Sequence, residues 1–170
     1  MDLTVLFKIS YGLYIISSFK DDKYNGQIAN TVFQVTSEPP RIAVCINKNN
    51  LTYEFIESSK IFTVSILSKE TPMTLIGQFG FKSGRDINKY QGVNYYIGQS
   101  KAPIVKDFTV GFIELKVINE MDAGTHTIFL GEVIDCGKFN DDEPLTYAYY
   151  HEVKKGKSPK NAPTYIKENG

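Results

Sequence analysis

The stretch GQIANTVFQV, Gly26–Val35, decides how this chain is read. Its length and β-branched content are those of a strand, yet it carries Gln27, Asn30 and Thr31 among the apolar residues. Asparagine is depleted in strands, and an inward-pointing amide costs free energy unless something satisfies it. Two readings stand at this point. Either the polar side chains face water on a sheet edge, or they face a ligand that satisfies them.

Working outward, similar segments recur with turn residues between them: GLYIISSF, RIAVCIN, IFTVSIL, NYYIGQS, TVGFIELKVINE and HTIFLGEVIDCGKF. Their alternation and boundaries predict antiparallel strands. The turns are explicit in KDDKYNG, in SEPPR, whose two prolines cannot sit inside a central strand, and in MDAGT, where Gly124 implies a hairpin. Two short helices are expected. One is NNLTYEFIESS with Asn50 as N-cap, the other TPMTLIGQFG with Thr71 as cap and Pro72 at the first helical position. Many strands with few helices predict a mainly β fold, a closed or nearly closed antiparallel barrel, because closure removes exposed sheet edges.

The 170 residues suit one domain, 1–170, with the Lys-rich, proline-interrupted end at 156–170 read as an extended arm or as a frayed tail. Lys plus Arg and Asp plus Glu both number 19, so no global field draws nucleic acid or an anionic membrane, and any anion site must be local. The N-terminus lacks the basic and apolar regions of a signal peptide, and no apolar run reaches the roughly 20 residues that span a bilayer. A cytoplasmic protein is expected. Cys45 and Cys136 form no CxxC pair and His126 and His151 are the only imidazoles, so no metal site is expected.

Three further places hold polar groups in excess of what folding asks. In CINKNNLT, Cys45–Thr52, a strand end and a helix start bring backbone N–H groups, Lys48, Asn50 and Thr52 together as a candidate phosphate site, where Asn50 alone is also explained as a helix cap. GFKSGRDINKY, Gly80–Tyr90, offers Lys82, Ser83, Arg85 and Lys89 with two glycines, but no P-loop and no Rossmann fingerprint; a solvated surface loop reads the same way. His126 opens an apolar strand beside a hairpin turn, and a single histidine there is often structural.

Taken together, GLYIISS, NGQIANTVFQVTSEPP, INKNNLT, FGFKSGRDINKY, DAGTHTIFLGEV and LTYAYYHEVKKGKSPKNAPTY resemble the flavin reductase-like family, from about Tyr11 to Tyr165 and in the right order. The pattern is nearest to archaeal ferric reductases, flavoredoxins and the flavin half of NADH:rubredoxin oxidoreductases. The resemblance implies an FMN-binding split β-barrel, antiparallel and Greek-key-like, that acts as a homodimer. It implies an oxidoreductase passing hydride from NADH or NADPH to flavin, and electrons on to ferric iron, free flavin or rubredoxin. The other implied activity is that of a flavoredoxin-like carrier that exchanges electrons with proteins and does not use NAD(P)H directly. The rubredoxin oxidoreductases continue past a similar APTY into a domain with CxxC pairs, which these 170 residues lack, so a rubredoxin partner is expected to be a separate protein. By the same resemblance Gln27, Ala29, Asn30 and Thr31 lie along the flavin. Asn47, Lys48, Asn50 and Thr52, with Lys82, Ser83 and Lys89, hold its phosphate side, and Ile46 and Phe81 also contact the cofactor. Cys45 and His126 stand near the reacting ring, where the pair could transiently hold ferric iron. Cys45 reads equally as a small buried hydrophobe.

Overall fold

The computed structural model describes residues 1–165, so the last five residues of the arm expected over 156–170 lie outside it. After a short 3-10 helix (Leu3–Lys8), strands β1 (Tyr14–Lys20) and β2 (Lys23–Ala29) form a hairpin, as do β3 (Val32–Ser37) and β4 (Pro40–Asn47). Strand β5 (Ile61–Leu67) follows helix α1 (Leu51–Ser59). Helix α2 (Met73–Gly80) leads to a small hairpin, β6 (Tyr95–Ile97) with β7 (Pro103–Val105). The long strands β8 (Thr109–Asp122) and β9 (His126–Lys138) turn at Gly124, whose φ of +85° needs glycine's freedom, and helix α3 (Tyr147–Glu152) comes last.

Seven strands make one antiparallel sheet in the order β2-β1-β5-β8-β9-β4-β3. Its two edge strands, β2 and β3, are joined only by Asn30 and Thr31. A link that short spans about 10 Å, so the sheet must curl until its edges meet at this corner. This is the expected antiparallel barrel, split along β2. The stretch that reads as one strand is in fact two: Val32 N–H donates to Asn30 O at 3.1 Å, and Cys45 N–H to Thr31 O at 3.1 Å, turning the chain from one sheet edge to the other.

Both faces of the sheet's centre are covered, which is why β1 and β5 bury consecutive residues instead of alternating ones. Inside the barrel Ile16, Ile46, Phe62, Val64, Leu115 and Phe129 pack with Ile56 of α1, the helix that crosses the split. Outside, Ile15 and Leu67 pack under α2, Val105 and α3 through Phe79, Tyr90, Leu145 and Tyr150. The hydroxyls buried between these layers are all spoken for. Thr63 Oγ1 donates to Pro103 O at 2.7 Å, Ser65 Oγ accepts from Val105 N–H at 3.2 Å, and Tyr90 OH donates to Ser17 Oγ at 2.6 Å. One local expectation fails. Helix α2 starts at Met73 with Pro72 as its N-cap, because Thr71 is held one residue earlier in a turn, where its N–H and its hydroxyl both donate to Ser68 O, at 3.0 and 2.6 Å.

Candidate functional site

The unpaired edge of β2 borders a cleft of about 620 Å³. Because the cleft runs along an edge, residues from both faces of β2 line it, Gln27 and Ala29 as well as Ile28. The end of β4 and the start of α1 form a second wall with Cys45, Asn47, Asn50 and Thr52. The loop after α2 forms a third with Phe81, Lys82, Ser83 and Gly84, and the chain from Lys157 to Tyr165 covers the remaining side. A volume of this size suits a cofactor-sized ligand.

Three amide contacts fix the walls to one another. Asn25 Nδ2 donates to Thr52 Oγ1 at 2.7 Å, a buried bond between β2 and α1. A Cβ at residue 84 would overlap the Asn25 amide, so glycine is what lets the third wall close on the first. Asn50 Nδ2 donates to Gln27 Oε1 at 3.0 Å, and Asn30 Nδ2 to Thr164 Oγ1 at 2.8 Å. Asn50 occupies the N-cap of α1 without making a side-chain capping bond; its carbonyl takes Tyr53 N–H at 3.0 Å, so the Leu51 and Thr52 N–H groups of a nine-residue helix are left to whatever occupies the cleft.

The charge balance of the cleft is one-sided. Lys82, Lys89, Lys157 and Lys160 line it and, among the described residues, no carboxylate does. Lys89 is 6% exposed, and its Nζ donates to Gly26 O at 2.9 Å and Phe79 O at 3.0 Å, tying β2 to α2. With no counter-ion there, burial lowers its pKa from 10.5 to about 8. Two carbonyls leave one ammonium proton over. Burial also pushes the half-buried Cys45 thiol up, which keeps it protonated near neutral pH and a poor nucleophile.

Of the residues singled out by sequence, Gln27, Ala29, Asn30, Cys45, Asn47, Asn50, Thr52, Phe81, Lys82, Ser83 and Lys89 line the cleft. Four do not. Thr31 turns its hydroxyl to Asn30 Oδ1 at 3.1 Å, Ile46 is fully buried in the barrel interior, and Lys48 pairs with Asp122 at 2.6 Å. His126 is the Cα partner of Asn47 but sits one layer back. Its Nε2 donates to Asn161 O at 3.2 Å and its Nδ1 lies 2.8 Å from the Thr125 hydroxyl, so both ring nitrogens are engaged. No group of three or more His, Cys, Asp or Glu suited to a metal occurs among the described residues. Arg85, in the same loop as Lys82, is drawn off to Glu54 of α1. Sequence reasoning misses Asn25, Tyr147, Tyr150 and the 157–165 segment as cleft residues.

The fold and the cleft together define a split antiparallel barrel with a cation-lined ligand site along its open edge. The chain matches the family described as "Flavin reductase like domain" over residues 6–156 and belongs to that family. It is similar to a ferric-chelate reductase (NAD(P)H) of Archaeoglobus fulgidus, 49% identical over 166 residues that cover 98% of each chain. It is also 52% identical over 165 residues to a high molecular weight rubredoxin of Moorella thermoacetica, covering 97% of this chain and 72% of that one. Among solved structures, the NADH:FAD oxidoreductase of Streptomyces globisporus superposes with a TM-score of 0.77 at 23% identity, over 84% of this chain and 83% of that one, a likeness of fold. The protein is an oxidoreductase of the flavin reductase type. No helix among the described residues is long and apolar enough to cross a membrane.

Proposed function

We propose that the chain binds FMN in this cleft and oxidises NADH or NADPH, passing the electrons to a ferric chelate or to a rubredoxin-type carrier. The observation that carries the reading is the cleft itself, with four lysines, no carboxylate among the described residues and a helix N-terminus without a side-chain cap, in a protein whose total charges balance. That set suits a phosphate dianion carried by a ring system that lies along β2. A flavin held by these residues would supply the redox chemistry, taking reducing equivalents from the nicotinamide and passing electrons to the acceptor.

The residues bind, orient and exclude water. Lys82, Ser83 and the first turn of α1 hold the phosphate, with Lys89 as a buried cation behind β2. Gln27 and Asn30, already held by Asn50 and Thr164, offer preset amides along the ring edge. Cys45, protonated, packs beside the ring without chemistry of its own, and His126 orients Asn161. With both imidazole nitrogens engaged and the thiol protonated, this pair is not assigned to iron.

The relatives' names favour two acceptors, a ferric chelate and a rubredoxin. The second keeps the carrier reading alive, in which electrons arrive from a protein donor and not from nicotinamide. A homodimer fits the exposed apolar side chains of the N-terminal segment, Leu3, Leu6, Phe7 and Ile9. Steady-state reduction of ferric EDTA by NADH or NADPH, with and without added FMN, tests the proposal. Activity that depends on both FMN and nicotinamide supports it, whereas reduction only through an added protein donor selects the carrier.

A further inference from the structure

The sequence leaves the chain after α3 open as arm or tail. In the structure it is tied across the cleft at both ends and in the middle. Gly156 N–H donates to Tyr150 O at 2.9 Å, and a Cβ at this glycine would overlap the Tyr150 ring, so the chain turns tightly against α3 before it leaves. Tyr150 OH donates to Lys157 O at 2.8 Å, and Tyr147 OH bonds both Ser158 Oγ and, at 3.0 Å, Thr164 Oγ1. On the far bank Thr164 accepts from Asn30 at the β2–β3 corner, and Asn161 Nδ2 donates to Asn50 Oδ1 at 2.8 Å at the head of α1 while its carbonyl takes the His126 proton.

We infer that residues 157–165 form a clasp that closes over the bound flavin and sets how slowly it leaves, making FMN a retained prosthetic group of this chain and not an exchanging substrate. The inference rests on the FMN-binding reading above. Two observations separate a clasp from a plug. The cleft keeps about 620 Å³ with the segment in place, so the segment walls the space and does not fill it. It also carries Lys157 and Lys160 into the lining, exposed and without an ion pair to a described residue, which suits closure over an anion. Lys160 lines the cleft beside Asn161, whose side chain is bonded at the head of α1, and the clasp assigns it to the phosphate. The latches are side-chain hydrogen bonds in partly exposed positions, each weak enough to open singly and slow to open together.

The test is stopped-flow dissociation of FMN, and separately of riboflavin, from the full chain and from Tyr147→Phe, Asn161→Ala and Lys160→Gln. Tyr147→Phe keeps the ring but deletes two latches, and Asn161 is exposed, so neither threatens folding. Each is expected to speed release of both flavins about tenfold with association nearly unchanged. Lys160→Gln is expected to speed release of FMN and not of riboflavin, a difference that a merely structural role would not produce. Wild-type protein that binds FMN but releases it as fast as these variants would overturn the clasp alone. Failure of the wild type to bind FMN would overturn the functional reading with it.

Discussion

Lys89 yields the most quantitative prediction. Its ammonium is buried against two carbonyls with no counter-ion, and its pKa falls from 10.5 to about 8. The unfolded chain therefore holds this proton more tightly than the folded one, and between about pH 8 and 10.5 stability rises as pH rises. Below pH 8 both states carry the charge and the fold bears the whole penalty, about 3 kcal/mol at about 1.4 kcal/mol per pH unit. Moving from pH 7 to pH 9.5 should return about 2 kcal/mol of it. Cys45 titrates oppositely in that range, and above pH 10 the raised Tyr14, Tyr90 and Tyr150 do too, because burial favours their neutral folded forms. Those effects are common to wild type and Lys89→Met, so the difference between the two isolates Lys89. Urea denaturation of both apo proteins at half-unit steps from pH 7 to 9.5 should show the wild type gaining about 2 kcal/mol relative to the variant. Parallel pH profiles would refute the buried, unpaired ammonium. With FMN bound, the phosphate favours the charged lysine, so affinity for FMN, but not for riboflavin, should weaken as pH passes about 8.

Further outcomes follow from single contacts. Gly84→Ala forces a Cβ onto the Asn25 amide and should weaken FMN binding at least fivefold and lower stability by about 1–3 kcal/mol, read by fluorescence titration and thermal melts. Thr52→Val removes the partner of the buried Asn25 amide and should cost about 1–3 kcal/mol, whereas Thr31→Val, outside the cleft, should change FMN affinity less than twofold. Cys45→Ala should leave ferric-chelate reduction within about threefold of wild type, and a complete loss would restore a chemical role to the thiol. Deleting residues 1–9 removes an exposed apolar segment that buries nothing in the barrel. Light scattering should then show a shift towards monomer while the far-UV spectrum is unchanged.

Much of the fold was legible because its signals are local. Asn50 before an amphipathic run marked α1, Gly124 between two long apolar patterns marked the β8–β9 hairpin, and the recurrence of short strands marked the barrel. The break inside Gly26–Val35 was not legible, because what turns Asn30 out of the strand is a corner held by Thr164, 134 residues away. The same limit governs the site. Polar residues in unexpected places pointed to the right cleft walls, yet the sequence alone cannot show that Lys48 is spent on Asp122, that Lys89 is drawn under β2 by two carbonyls, or that His126 holds Asn161. Each of those assignments depends on a partner brought in by tertiary folding. The amides that prompted the first reading prove to be tied to other walls of the cleft, which presets them for a ligand at little entropic cost.

The central claim is that this cleft holds a flavin reducible by nicotinamide. The most direct measurement is the visible absorption spectrum of the FMN-reconstituted protein, followed anaerobically as NADH and then NADPH are added. A protein-bound flavin spectrum should appear and bleach on adding one of the two donors. Protein that takes up no FMN, or bound FMN that stays oxidised with both, would contradict it.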